Sequence, residues 1–107
     1  MKVVNEKSSF SLEIEFLFPE NGELHTDVER VSWWVAEPRR SIVTHEVQVL
    51  EHPNNPLTIF IPASANICSG KRNEQRIVVI KAESGDNKEH VDYEYTVRAI
   101  PTVPISA

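Results

Sequence analysis

Phe10-Ser11-Leu12-Glu13-Ile14-Glu15-Phe16-Leu17-Phe18 is the stretch that decides the fold. Its apolar residues recur at every second position, and Ser11, Glu13, Glu15 and Leu17 fall between them. Successive side chains of a strand point to opposite faces, so one face here is apolar and the other mostly charged. On a helix the same residues would be scattered around the axis. The stretch therefore predicts a strand over 10–18.

Outward from it, the same period of two returns between turn signals. Pro19-Glu20-Asn21-Gly22 ends the first strand, because Asn-Gly tolerates positive φ. Residues 28–36 put Val31, Trp33 and Val35 on one face and Ser32 and Trp34 on the other, and Pro38 breaks the run. Residues 42–50 alternate through Val43, His45, Val47 and Val49. His52-Pro53-Asn54-Asn55-Pro56 is a turn. Leu57, Ile59 and Ile61 then alternate with Thr58 and Phe60 up to Pro62. Ala63-Ser64-Ala65-Asn66-Ile67 reads as one helical turn or an irregular crossover, and Ser69-Gly70-Lys71-Arg72-Asn73 as a polar loop. Residues 76–82 are apolar on both faces, which predicts a central strand. Ser84-Gly85-Asp86-Asn87 joins it to Val91, Tyr93, Tyr95 and Val97 in a long hairpin. A further short strand is possible at Val3-Val4.

The chain has 107 residues, room for a single domain. The expected unit spans 1–107, with an ordered core over about 8–100 and a proline-containing tail, 101–107, that is an edge segment or frayed. Six strands and a possible seventh, with turn signals about every 8–15 residues, predict an all-β antiparallel sandwich of about seven strands, like immunoglobulin or fibronectin type III domains. A closed barrel is the main structural alternative. No amphipathic run is long enough to build a βαβ unit.

The formal net charge is −5 and the pI is about 5.3. A nucleic-acid binder needs a basic footprint to displace counterions from phosphate, so no nucleic-acid partner is expected. Arg39-Arg40 and Lys71-Arg72 read as solvated turns. Cys68 is the single cysteine; no internal disulfide can form, which fits a reducing compartment. The sequence beginning Met1-Lys2-Val3-Val4-Asn5-Glu6-Lys7 lacks an apolar leader segment. No apolar run approaches the ~20 residues of a membrane helix. The expectation is a product made in the cytoplasm, with no membrane partner.

The search for catalytic constellations returns little. Gly22, Gly70 and Gly85 all fall in turns, and no phosphate loop or nucleophile elbow is present. His25, His45, His52 and His90 share no metal spacing. Asp86, Asn87 and Glu89 are too sparse for a calcium loop and read as a solvated hairpin tip. Glu13 and Glu15 follow the polar side of their strand, so they read as a solvent-facing stripe and not as a general-acid pair. No enzyme, cofactor or metal is expected. Trp33-Trp34 is the most informative local feature: adjacent strand residues face opposite ways, so Trp33 is assigned to the core with Val31 and Val35, and Trp34 to the outer surface. An outward Trp is a candidate binding anchor, unless it packs under an Arg stem or an edge loop. Tyr93 and Tyr95 divide between core packing and a recognition patch. The candidate interaction surface is thus Trp34, Tyr93 and Tyr95.

Four segments carry a resemblance: Val31-Ser32-Trp33-Trp34-Val35; Leu57-Thr58-Ile59-Phe60-Ile61-Pro62-Ala63-Ser64-Ala65-Asn66; Glu74-Gln75-Arg76-Ile77-Val78-Val79-Ile80-Lys81-Ala82; and Tyr93-Glu94-Tyr95-Thr96-Val97-Arg98. Together, over about residues 10–100, they resemble small immunoglobulin-like proteins encoded among the virion structural genes of tailed phages and prophages. Ile-Pro-Ala-Ser-Ala-Asn is the most specific part. The resemblance implies a virion or assembly component without enzymatic activity, and it carries no binding residues. The expected partner is another protein or a second copy, met through a sheet face or edge strand, with 100–105 a candidate edge. A carbohydrate- or small-ligand-binding sandwich, using exposed aromatics as a stacking platform, is the alternative.

Overall fold

The computed structural model describes residues 2–17, 22–23, 28–38, 42–68 and 72–99. They form seven strands: β1 (Lys2–Asn5), β2 (Phe10–Ile14), β3 (Arg30–Ala36), β4 (Val43–Glu51), β5 (Leu57–Ile61), β6 (Glu74–Ser84) and β7 (Asn87–Arg98). A single 3₁₀ turn, Ala63–Ala65, is the only helical element among the described residues. The chain is all-β, with two sheets packed face to face. The five-stranded sheet has the order β1-β7-β6-β3-β4, and the second sheet holds β2 and β5.

The alternating pattern places the core as the sequence requires. Val31, Trp33 and Val35 of β3 and Val78 and Ile80 of β6 meet Leu57, Ile59 and Ile61 of β5. Phe10, Leu12 and Ile14 of β2 close the core from the same sheet as β5, and are only partly buried. β6 lies between β3 and β7 as expected, with Val78 and Ile80 buried on one face and Val79 buried on the other.

The β6–β7 hairpin runs without a register break from Glu74↔Val97 to Ser84↔Asn87. Gly85 begins its two-residue turn at φ +60. That left-handed backbone is what a type II′ turn asks of its first central residue. The possible strand at Val3-Val4 is β1, which pairs parallel to β7.

One expectation is corrected. The strand of 10–18 ends at Ile14, because the Asn55 side chain substitutes for a neighbouring strand at Phe16. Asn55 Nδ2 donates to the Phe16 carbonyl at 2.8 Å, and its Oδ1 accepts from the Phe16 amide at 3.1 Å. The apolar alternation of β4 faces water: Val43, Val47 and Val49 are 51%, 53% and 54% exposed. β4 is an edge strand whose register with β3 slips twice, between Trp33 and Val35 and between Val35 and Ala36. The slip turns His45, not a valine, toward the core side, where its ring stacks on Trp33 at 5.0 Å. β1, at one end of the strand order, is a member of the five-stranded sheet. The turn at Pro19–Asn21, Arg39-Arg40, His25 and the tail 101–107 lie outside the described residues; Gly22 has the positive φ (+72) expected of its turn.

Candidate functional site

Strand parity separates the three residues proposed as an interaction surface. Trp34 lies opposite Val79 on the outer face of the five-stranded sheet. It is half-buried, and the Lys81 ammonium stands 5.4 Å from the centre of its ring. Covering by a cation and its stem is worth about 0.5–1 kcal/mol at an exposed site. Tyr93 points the other way and packs partly buried against the core. Tyr95 is fully buried and belongs to the core, so it offers no surface to a partner. A stacking platform needs aromatics on one exposed face, and these three do not share one.

The exposed apolar surface gathers elsewhere. Val43, Val47 and Val49 line the outer side of edge strand β4, where Val49 pairs with Ser32 and Val43 with Ala36. Half-buried Trp34 lies on the same outer face on the neighbouring strand β3, and Val79 opposite it on β6 is buried. On the second sheet Phe60 is also exposed, opposite Ser11.

The sequence reading missed a buried polar cluster at the β5–β6 crossover. Arg76 is 1% exposed. Its Nη2 donates to the Ile67 carbonyl and to Glu74 Oε1, both at 2.9 Å, and its Nη1 donates to the Gln75 carbonyl at 3.0 Å. Glu37 Oε1 stands 3.9 Å from Nη1. Arg76 Nε is buried with no acceptor. Beside it, Asn66 receives the Tyr95 hydroxyl at 2.7 Å and donates from Nδ2 to the Ser8 carbonyl at 2.7 Å. The Lys7 amide donates to the Asn66 carbonyl at 2.8 Å. Asn66 therefore ties the β1–β2 connection, the crossover and β7 together.

Burial pushes the Tyr95 phenol far above its ordinary range, with the nearby Arg76 charge acting in the opposite direction. Burial also raises the Cys68 thiol, helped by Glu74 and Glu6 and opposed by Arg76. A thiol raised in this way is a poorer nucleophile at neutral pH.

A signal for Arg76 was present in the sequence: it falls in phase with Val78, Ile80 and Ala82 on the inner side of β6. An arginine in an apolar phase is buried only when carboxylates and carbonyls meet it. Among the described residues there is no group of three or more His, Cys, Asp or Glu side chains placed to hold a metal ion. Nor is any helix there long and apolar enough to cross a membrane, a statement that does not bear on spans made of strands. No protein-family model matches the chain, and no curated protein or solved structure matches it significantly.

Proposed function

We propose that this chain is a non-catalytic structural or protein-interaction module with the immunoglobulin or fibronectin type III kind of sandwich. The strand order supports that type. β3, β6 and β7 form one sheet with edge strand β4, β2 faces them with β5, and β1 runs parallel to the last strand. The virion or assembly role rests on the sequence resemblance alone.

The observation that carries the interaction reading is the outer surface of β4. Three valines stay more than half exposed on a nine-residue edge strand. They are contiguous with the half-covered Trp34. Monomeric proteins seldom leave a contiguous apolar surface of this kind without a use for it. An edge strand can also add a partner's strand through its unpaired backbone groups.

The test begins with the gene neighbourhood and the co-expression of neighbouring products, followed by size-exclusion chromatography. A complex with a capsid or tail protein that Val47→Glu/Val49→Glu abolishes supports the reading. A metabolic neighbourhood, or a glycan that quenches Trp34 fluorescence, overturns it.

A further inference from the structure

We propose that the free edge of β7 pairs with the same edge of a second copy of this chain, in antiparallel register centred on Val91. The inference sharpens the self-association part of the proposed function and uses a different edge from β4.

The first observation is a length mismatch. β7 has twelve residues, but β1 covers only its last four, from Tyr95 to Arg98. Asn87 to Glu94 pair with β6 on one side and with no described strand on the other. The strands of the second sheet have five residues each, about 17 Å at roughly 3.3 Å per residue. The hairpin therefore projects beyond them, and residues 87–92 are all exposed. Edge strands are usually protected by a bulge, a proline or an inward-pointing charge. Here the β6–β7 register is unbroken and residues 87–94 contain no proline; of the three devices only an inward-pointing charge, Glu89, is present.

The second observation is the order of charges along that edge. In a hairpin with a two-residue turn the residues flanking the turn bond to each other, so the backbone groups of Lys88, His90, Asp92 and Glu94 point to the free side. The amide of Glu6 donates to the Arg98 carbonyl at 2.9 Å, which fixes the same phase farther along the strand. The side chains of these four residues share the outer face in the order cation, imidazole, carboxylate, carboxylate.

An antiparallel copy centred on Val91 sets Lys88 opposite Glu94 and His90 opposite Asp92, each twice. Glu89 meets Tyr93, and Val91, 52% exposed, meets its own counterpart on the inner face. Moving the centre to Asp92 opposes two like carboxylates. Moving it to His90 sets Asp86 against Glu94 and Val91 against Glu89. Like charges directly opposite one another destabilise a sheet, and unlike charges stabilise it, so the Val91 register is preferred.

His90 Nε2 already lies 2.6 Å from Asp92 Oδ1 of its own strand. In the pair each carboxylate sits between two imidazoles. The ladder stops at Lys88–Glu94, because Lys2 holds the place beside Tyr95. The hairpin tip has to turn out of the sheet plane there, helped by the stronger twist of a two-stranded ribbon.

The test is sedimentation equilibrium of the full chain over a concentration series, with circular dichroism of every variant to establish folding. The wild type is expected to show a reversible dimer that weakens with added salt. Lys88→Glu and Glu94→Lys each oppose like charges and are expected to weaken it by roughly tenfold or more. Lys88→Glu/Glu94→Lys restores the pairing with its signs exchanged and is expected to recover the dimer. Val91→Cys in a Cys68→Ala background should form an intermolecular disulfide, since opposed strand residues meet the required Cα separation. A folded monomer at all concentrations, or a dimer indifferent to both charge reversals and not trapped through position 91, overturns the proposal. Either result leaves docking on the β4 valines to be judged by Val47→Glu/Val49→Glu.

Discussion

The Tyr95 hydroxyl donates to Asn66 Oδ1 at 2.7 Å, and both residues are 0% exposed. The bond joins the C-terminal part of β7 to the crossover that follows β5, 29 residues away in sequence. Tyr95→Phe removes the donor and strands a buried acceptor, which costs about 1–3 kcal/mol. Asn66→Ala also abandons the Ser8 carbonyl and should cost more. Urea denaturation of the two variants checks the order; an equal or reversed cost would refute the assignment of Asn66 as the hub.

The same burial gives a pH dependence. The folded Tyr95 phenol titrates above its unfolded value near 10, so the unfolded chain loses its proton first as pH rises. Stability from this group is whole below pH 10 and falls above it, by at most about 1.4 kcal/mol per pH unit. Cys68, also raised, acts in the same direction from about pH 9. Thermal unfolding from pH 8 to 11 should show a steeper decline in the wild type than in Tyr95→Phe. Parallel curves would exclude the effect.

Arg76 is held by two carbonyls and a carboxylate, and its removal uncovers all of them. Arg76→Ala should cost about 3–5 kcal/mol, the range for breaking a buried ion pair from one side. Arg76→Met fills the volume and should cost less. Chemical denaturation of both variants measures the difference, and equal costs would mean that volume contributes nothing here.

The two tryptophans should separate cleanly. Trp33 is buried against the second sheet and stacked on His45, so Trp33→Ala should cost about 3–5 kcal/mol. Trp34→Ala gives up a half-covered outer surface and a Lys81 contact, and should cost about 1 kcal/mol. Calorimetry of the two variants decides it; comparable losses would show that Trp34 is also a core residue.

Gly85→Ala tests backbone strain alone. No atom lies within 4 Å of where the added Cβ would sit, but φ is +60. The variant should lose about 1–2 kcal/mol, and Gly85→Asn less, because Asn tolerates that conformation better. A neutral Gly85→Ala in thermal melts would mean that the turn changes type without cost.

Much of this was legible in the residues. β5 falls where its alternation predicts, the β6–β7 hairpin turns at Gly85, and Trp33 and Trp34 take the faces that parity assigns them. The end of β2 was not legible, because the Asn55 side chain that replaces its next partner comes from a turn 39 residues away. Of the three candidate surface residues, the sequence could not remove Tyr95, since its burial depends on Phe10, whose ring meets it edge-on at 4.9 Å, and on Asn66.

What the sequence determined by itself is the strand period and the punctuation between strands, because side-chain direction and turn geometry depend only on neighbouring residues. Which apolar faces are covered was decided by tertiary structure. Ile59 and Val47 both belong to alternating runs, yet one is sealed in the core and the other faces water. The difference is pairing: the inner face of β5 is turned toward the five-stranded sheet, whereas Val49 pairs with Ser32 on the outer face of β3, which sets the β4 valines on the uncovered side.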